Sequence, residues 1–213
     1  MKKGLAFQND RLYFILKGKP MPRHKEFDRE EVLQKAMIAF RDKGYEATSM
    51  QELVDSMEIN RFSLYETFTN KHQLFVEALQ AYLETVAIPF FSRLENSKEG
   101  LKIIESVLME LVSNVKGGAS SNGCLLCNTI AELGAKRDKR ITIILQAYLK
   151  IQEGYLHAAL LRAKELGEIP EGVDVRERAK LLVGYTTGIL SMAKVLSENE
   201  MRKSVKAAIA AIK

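Results

Sequence analysis

The stretch that decides the fold runs Gly44-Tyr45-Glu46-Ala47-Thr48-Ser49-Met50, then Ile59-Asn60-Arg61-Phe62-Ser63-Leu64-Tyr65-Glu66-Thr67-Phe68, and then Asn70-Lys71-His72-Gln73-Leu74-Phe75. Around these segments apolar residues recur at helical spacing, with turn residues between them. The pattern predicts three short helices in about 40 residues, the second and third joined by a tight turn. This number and spacing of short helices is typical of a helix-turn-helix, although spacing alone does not distinguish it from other small helical bundles.

Capping residues mark the ends of the predicted helices. Asp28 is expected to cap the first helix, and Gly44 to end it. Thr48 or Ser49 caps the second, with Glu52 as the partner in a capping box. The third begins at residue 61, and the fourth runs from a cap at residue 70 to a break near residue 89. Five apolar residues of this region are predicted to pack inside rather than to bind anything: Leu53, Leu64, Phe68, Leu74 and Phe75.

The remainder of the chain also has the pattern of helices, and no segment is typical of a strand. We predict helices at about 98–116, 124–135, 138–166, 175–197 and 199–212. Four Pro, 13 Gly and no Trp in 213 residues are consistent with this pattern. The fold class is therefore all-α.

Composition and charge limit the classes of function that the chain can have. Hydrophobic residues make up 46% and charged residues 28%, which is typical of a soluble globular protein. No apolar run approaches the roughly 18 residues of a membrane span. The net charge of +5 is uneven: residues 1–25 carry +6, residues 26–80 carry −5 and residues 81–213 carry +4. Any basic surface for an anionic polymer is thus concentrated in the N-terminal arm. Two cysteines indicate a reducing compartment, the cytoplasm.

The motifs of residues 27–80 strongly resemble the DNA-binding domain of the tetracycline-repressor (TetR) family. Downstream, Gly123-Cys124-Leu125-Leu126-Cys127-Asn128-Thr129 is similar to the Gly-Cys-Leu-Leu-x-Asn-Thr element of one branch of that family. The resemblance implies an N-terminal arm at 1–25, a helix-turn-helix domain at 26–72, and an effector-binding and dimerisation domain at 73–213. It also implies a cytoplasmic homodimer that binds a palindromic operator in double-stranded DNA and a small-molecule effector, without a cofactor, a metal or a membrane.

The resemblance also assigns the DNA contacts. Recognition-helix residues would meet bases, with Arg61 the best candidate because a bidentate contact to guanine discriminates by about 1–3 kcal/mol. Residues around this helix would hold the phosphate backbone, and Lys25 would extend the contact from the arm if the arm lies along the DNA. The alternative for the arm is a solvated segment. The expected DNA-binding residues are Thr48, Ser49, Arg61, Phe62, Ser63, Tyr65, Lys71 and Lys25.

Two residues depart from the family pattern, and a third raises a question about the start of the chain. Glu58 stands in the turn where the family commonly has Gly, which is mildly costly if φ is positive. Phe62 stands where Gly or Ala is frequent, and could stack on a thymine methyl or fill the turn. Met21 follows a Gly- and Pro-containing break, and we expect it to be the physiological start, with residues 1–20 not native to the protein.

Two further surfaces follow from the resemblance, and ordinary core packing is the alternative for each. An apolar set with a few hydroxyls would suit an apolar or aromatic effector. Its expected lining is Phe90, Phe91, Leu108, Val112, Leu125, Cys127, Tyr148, Ile151 and Tyr155. A two-fold interface would form on the last two helices, where Gly184 and Gly188 permit close approach. Its expected residues are Leu182, Thr186, Ile189, Leu190, Ala193, Ala208 and Ile209.

Other classes of function remain as alternatives. Cys124 and Cys127 could form a thiol-responsive pair, because a helix N-terminus lowers a thiol pKa, although packing is the simpler reading. A structural zinc would need four ligands, and the three histidines are scattered. No nucleophile triad, P-loop or dinucleotide fingerprint is present, so we do not expect an enzyme. The prediction is a DNA-binding regulator, most simply a repressor; the remaining alternative is a helical ligand-binding protein without a DNA role.

Overall fold

The computed structural model describes residues 27–117, 122–133 and 138–213, and every regular element in them is helical. The N-terminal arm, with Lys25 and Met21, lies outside these residues. The helices are α1 (Arg29–Lys43), α2 (Met50–Met57), α3 (Arg61–Phe68), α4 (Lys71–Tyr82), α5 (Ile88–Asn96), α6 (Leu101–Gly117), α7 (Leu125–Leu133), α8 (Lys139–Glu165), α9 (Val175–Met192) and α10 (Glu198–Ala211). The all-α prediction is confirmed.

Each of the first four helices begins at a side chain that accepts a backbone N–H of its first turn. Asp28, Ser49, Asn60 and Asn70 are these caps. Ser49 forms a complete capping box with Glu52, whose carboxylate accepts the Ser49 N–H at 2.8 Å. Capping matters here because α2 and α3 have only eight residues each, too few to be stable helices alone.

Aromatic residues join the first four helices into one core. The Phe40 ring of α1 meets Phe75 of α4 edge-on, with centroids 4.9 Å apart, and Tyr45 lies 4.6 Å from the same ring. α1 and α4 pack on each other, and α2 and α3 lie against them. The predicted packing residues are confirmed, since all five are fully buried: Leu53, Leu64, Phe68, Leu74 and Phe75.

The predicted break near Pro89 is wrong, because the helix continues past it. A π-helical turn at Leu83–Ala87 joins α4 to α5, and the Ile88 N–H donates to the Leu83 carbonyl. Pro89, which has no N–H to donate, stands in the first turn of α5, where proline is tolerated. α4 therefore reaches from the helix-turn-helix region into the second half of the molecule.

The stretch Lys71–Asn96 is also long and apolar enough, by length and composition, to cross a membrane. The sequence shows no uninterrupted apolar run there, but the average over the helix passes this test. A core helix passes it too, and α4 packs between α1 and α8. Its contacts identify it as a core helix.

The C-terminal helices surround α8, which packs mainly on α9 and α5, while α6 packs on α10. The predicted boundaries fall within a few residues of the observed ones, except that α9 ends at Met192 rather than at residue 197. α7 contacts α1 and α4 as well as α8 and α9. This short helix therefore touches both halves of the molecule.

Candidate nucleic-acid interface and the cavity behind it

One face of α3 is exposed and the other is buried. Arg61, Phe62 and Tyr65 point outward, with Phe62 59% exposed and Tyr65 40% exposed. Leu64 and Phe68 are fully buried. The Arg61 guanidinium lies 5.8 Å from the centroid of the Tyr65 ring, a cation–π contact that holds it on the outer surface. A short helix with this pattern is built to present side chains to a groove.

Two predicted DNA contacts are wrong for their side chains. Thr48 has no exposed surface, and its hydroxyl donates to the Gly44 carbonyl at 2.6 Å. Ser63 is only 7% exposed, because it lies on the side of α3 that faces the body. Neither hydroxyl is available to a phosphate or a base in this arrangement.

Two other predicted contacts lie on the surface beside α3. Ser49 is exposed at the start of α2. Lys71 is in the first turn of α4, and its ammonium lies 4.5 Å from the centroid of the Tyr45 ring and 3.4 Å from the Glu46 carbonyl oxygen. These contacts hold a cation at a helix N-terminus, which favours anions. Ser49 is thus exposed at the start of α2, and Lys71 is half-buried at the start of α4, directly after α3 in the chain.

Backbone strain is found on both sides of α3. Glu58, in the turn before it, has φ 57° and ψ 30°. This is the left-handed conformation, which is costly for a residue other than glycine, as the family pattern suggested for this position. Its carboxylate accepts from the Lys35 ammonium at 2.5 Å. Thr69, directly after α3, has φ 62° and ψ −49°, which is unusual for a β-branched residue. The recognition helix is therefore held between two residues that glycine would suit better.

α7 holds the turn after α1 through backbone groups. Oε2 of Glu132 accepts the Tyr45 N–H at 2.9 Å, and Oε1 accepts the Glu46 N–H at 2.8 Å. One turn earlier, the Asn128 side-chain amide donates to the Arg41 carbonyl at 3.1 Å. We call these contacts of Asn128 and Glu132 the α7 clamp. Sequence reasoning missed the clamp, because backbone partners leave no pattern in the sequence.

His72 forms a second link between the two halves. It is half-buried on α4, and its Nε2 lies 2.6 Å from Oδ2 of Asp138, the cap of α8. The pKa of Asp138 is lowered, first by the Ile141 N–H that it accepts and then by His72. Beside it, the Arg140 guanidinium donates to the Gln73 side chain at 2.7 Å.

A cavity of about 70 Å³ lies behind the π-helical turn. Three predicted lining residues border it: Phe90, Phe91 and Tyr148. Six do not: Leu108, Val112, Leu125 and Cys127 are core residues, and Ile151 and Tyr155 are half-buried elsewhere. The lining that sequence reasoning missed is Tyr82, Val86, Ala87, Leu111, Asn114, Val115, Gly123, Cys124 and Leu190. The cavity lies between the π-helical turn, α5, α6 and the segment before α7, and one residue each of α4, α8 and α9 completes its wall.

Six of the seven residues of the predicted dimer face are covered by this chain itself. Leu182, Thr186, Ile189, Leu190, Ala193 and Ile209 are at most 6% exposed within the single chain, and Ala208 is half-buried. The opposite side of α9 is open: Leu181 is 52% exposed and Met192 43%, and Val195, in the turn after the helix, is 83% exposed. On the same side, a Cβ added to Gly184 or Gly188 would meet nothing within 4 Å. We call the four helical residues the outer stripe of α9: Leu181, Gly184, Gly188 and Met192.

An exposed helix held on capped neighbours, with a cation and a hydroxyl beside it, defines a helix-turn-helix DNA-binding protein. Two family models match the chain: "Bacterial regulatory proteins, tetR family" over residues 32–78 and "Tetracyclin repressor-like, C-terminal domain" over residues 100–209. The chain belongs to the TetR family. It is a DNA-binding transcriptional regulator.

Curated relatives and solved structures agree with this assignment. The chain is 31% identical over 179 residues to the uncharacterized HTH-type transcriptional regulator YezE of Bacillus subtilis, covering 84% of this chain and 92% of YezE. It is 32% identical over 164 residues to the HTH-type transcriptional repressor ComR of Escherichia coli, covering 75% and 76%. The TetR family regulator CifR, solved as a cysteine mutant with 26 bp of double-strand operator DNA, superposes with TM-score 0.78 at 26% identity over 90% of this chain and 100% of CifR.

Proposed function

We propose that the protein is a homodimeric repressor that leaves a palindromic operator when a small apolar or aromatic effector binds. The observation that carries this proposal is the exposed face of α3, where Arg61, Phe62 and Tyr65 are exposed on a helix whose other side is buried. The naming of ComR as a repressor and the operator DNA bound to CifR support it.

In this proposal each exposed side chain has a task. Arg61 reads a guanine edge, and Phe62 packs on a thymine methyl in the major groove. Tyr65, Ser49 and Lys71 bind phosphates and set the register, with Lys71 assisted by the dipole of α4. The charge of residues 26–80 is −5, so the basic arm that contains Lys25 supplies non-specific attraction to the DNA.

The outer stripe of α9 is the proposed dimer surface. It is apolar and unpartnered within the described residues, and its two glycines permit two helices to approach closely. A two-fold axis through this surface brings the same patch of both copies together and yields two α3 helices for two half-sites. Leu181→Glu should give monomers by light scattering and lose operator binding. Ile38→Glu, which places the same charge at an exposed residue of α1, should remain a dimer.

The cavity is the proposed effector site. Its aromatic lining suits a small apolar ligand, and Tyr82 and Val86 on its wall lie on the continuous helix that begins at Lys71. A ligand that binds better when this helix has shifted changes the position of α3 by population shift. The required difference in affinity between the two states is several kcal/mol for a near-complete switch.

The finer classification is also part of the proposal. We place the chain in the branch with the Gly-Cys-Leu-Leu-x-Asn-Thr element, because residues of that element have structural tasks here: Gly123 has φ 89°, and Asn128 bridges the carbonyls of Arg41 and Asn122. The domains are an arm at 1–25, the DNA-binding domain at 26–72 and the effector and dimerisation domain at 73–213. The protein works in the cytoplasm and has no catalytic role.

The test is selection of bound sequences from a random DNA pool, followed by affinity measurements over a salt series. We expect an enriched palindrome. Arg61→Ala should weaken binding to it by about 1–3 kcal/mol and relax one base position. Lys71→Ala should weaken binding to all sequences and reduce the salt slope by about one. Lys98→Ala, which removes an exposed cation between α5 and α6, is the matched control. Weak binding without sequence preference would contradict the proposal and favour a helical ligand-binding protein.

A further inference from the structure

Two thiols lie together at the start of α7. Cys124 directly precedes the helix, and its carbonyl accepts the Asn128 N–H at 2.8 Å. Cys127 is in the first turn. Both are free thiols, 8% and 2% exposed. A pair three residues apart at a helix N-terminus is the arrangement in which one thiol is readily ionised.

The surroundings make the two thiols unequal. The Cys127 thiol, the backbone N–H groups of Cys127 and Leu126 and the Tyr82 hydroxyl all donate to the Cys124 sulfur, and together they lower the pKa of Cys124 to about 6 despite its burial. The pKa of Cys127 is raised, first by its hydrogen bond to Cys124 and then by burial. The surroundings thus favour the thiolate form at Cys124 and the thiol form at Cys127.

The titratable groups around the pair come from every helix packed on it. Tyr82 of α4 and Tyr148 of α8 face the sulfurs, and burial raises the pKa of both phenols well above the ordinary range. The Tyr148 hydroxyl lies 3.6 Å from the Cys127 sulfur. Arg41 of α1 acts on Tyr82, and Thr187 of α9 hydrogen-bonds to Cys127. The tyrosines therefore remain protonated donors beside the Cys124 thiolate at neutral pH.

Cys124 is also accessible from the cavity. It is one of the lining residues, whereas Cys127 is not. Val86 and Asn114, which line the same cavity, are exposed, so the cavity reaches the surface beside them. The rest of the lining is mainly aromatic and aliphatic. An uncharged apolar reagent would enter this space more readily than a polar one.

We propose that Cys124 and Cys127 form an oxidation site for organic hydroperoxides, with Cys124 as the nucleophile and Cys127 as the resolving thiol. The Cys124 thiolate attacks the terminal oxygen, the O–O bond breaks, and the alkoxide leaves and takes up a proton to become the alcohol. Cys124 is then a sulfenic acid. The Cys127 sulfur attacks it, the S–S bond forms, and hydroxide leaves with the Cys127 proton as water. In sum, two thiols and one hydroperoxide give a disulfide, an alcohol and water.

The α7 clamp connects this site to the DNA-binding half. Asn128 follows Cys124 by one helical turn and Glu132 by two, and both hold the backbone of the turn after α1. A disulfide draws the two sulfurs to about 2.05 Å, shorter than any hydrogen-bonded contact between thiols. Closing this distance displaces the first turn of α7 and with it the clamp. This coupling rests on the proposed function, whereas the oxidation chemistry does not.

The chemistry is tested by intact mass after treatment with cumene hydroperoxide. The wild-type chain should lose two hydrogens. Cys127→Ser should stop at the sulfenic acid, which a cyclic 1,3-dione traps, and Cys124→Ser should not react. Each serine variant is compared with wild type by circular dichroism. Hydrogen peroxide, small and polar, should react more slowly than the apolar hydroperoxide. Absence of a disulfide in the wild-type chain, or equal reaction of Cys124→Ser, would overturn the proposal.

A pH profile provides a readout that does not depend on oxidation. The Cys127→Ser substitution removes one donor to Cys124, so the wild-type chain is used for this measurement. It is alkylated with a limiting amount of reagent, and the modified cysteine is identified by peptide mass. Cys124 should reach half its maximal rate near pH 6, whereas the same cysteine in the urea-unfolded chain should do so near about 8.5. Identical profiles in the folded and unfolded chains would contradict a preformed thiolate.

The coupling is tested with the selected operator. Disulfide formation should weaken binding of the wild-type chain by roughly 5- to 150-fold, and dithiothreitol should reverse it. The Glu132→Ala variant should still form the disulfide, but oxidation should weaken its operator binding less than that of the wild-type chain. If the reduced chain selects no DNA sequence, the proposed function fails. If it binds its operator equally well in both redox states, the coupling alone fails.

Discussion

The two halves of this molecule are stabilised in different ways. In residues 27–82 the four helices have 8 to 15 residues, each begins at a side-chain cap, and the buried Thr48 hydroxyl donates to the Gly44 carbonyl. In the C-terminal half α8, α9 and α10 are also capped, but the Gln152 amide is buried with neither its oxygen nor its nitrogen paired within the described residues. The unpaired buried amide is thus in the second half, whereas the exposed face of α3 is in the first.

The largest expected effect is a difference in the free energy of unfolding between alanine substitutions at the two phenylalanines of α3. Phe68→Ala removes a fully buried ring and should lower the free energy of unfolding by about 3–5 kcal/mol. Phe62→Ala, in the same helix, should change it by less than about 0.5 kcal/mol and weaken operator binding instead. Urea unfolding and DNA titration of both variants measure this contrast. Equal destabilisation would mean that the outer face of α3 also serves the core.

Gln152→Met should stabilise the C-terminal half. The side chain is 1% exposed, and an unpaired buried amide costs about 1–3 kcal/mol, which an apolar side chain of similar shape does not incur. Thermal and urea unfolding should show a gain of that order. Gln146→Met, an exposed residue of the same helix, is the control and should change little. No gain at residue 152 would mean that ordered water or a ligand satisfies the amide.

Thr69→Gly should stabilise the DNA-binding half by about 1 kcal/mol. Its φ of 62° is costly for a β-branched residue, and this relief exceeds the entropy that glycine adds to the unfolded chain. Thr85 lies in the π-helical turn and has an ordinary φ, so Thr85→Gly should instead lower the free energy of unfolding. Unfolding in urea compares the two. A loss of stability at residue 69 would show that the threonine side chain compensates for its backbone.

The smallest effect should come from the capping box of α2. Lys43 and the Ser49 hydrogen bonds lower the pKa of Glu52 to about 2, from an ordinary value of 4.5. Because the folded pKa is the lower one, the contribution to stability is present above pH 4.5 and is lost as the pH falls toward 2. Unfolding of wild type and Glu52→Gln over this range should show a smaller acid-induced loss in the variant. Parallel curves would contradict the role of the carboxylate.

The features that could be predicted from the sequence are the local ones. The fold class and the caps at Asp28 and Asn70 were predicted, because capping and helical periodicity are local. The DNA contacts of Arg61, Tyr65, Thr48 and Ser63 were assigned by the family resemblance alone. The structure exposes Arg61 and Tyr65 but buries Thr48 and Ser63, and this difference depends on packing between helices.

The exposed stripe of α9 and the cavity could not be derived in this way. An amphipathic stripe identifies the buried side of α9, but the same stripe results whether the cover is another helix of this chain or a second copy. The cavity depends on which core side chains fail to fill a space, so Tyr148 borders it while Leu108 does not. The position of Cys124 before a helix was visible in the sequence, and it is the signal that could have placed this residue at the cavity.

The α7 clamp has a consequence for building hybrid regulators. Because Asn128 and Glu132 bind backbone groups of residues 41, 45 and 46, the side chains at those positions can change without loss of the joint. Gly44 is the exception: a Cβ there would lie 2.8 Å from a Glu132 carboxylate oxygen, and its φ is 88°. A recognition module from a relative could therefore be grafted onto this C-terminal half, provided that it carries glycine at residue 44 and keeps the His72 and Gln73 side chains that meet Asp138 and Arg140. With these three residues kept, we expect the two halves to be exchangeable between relatives.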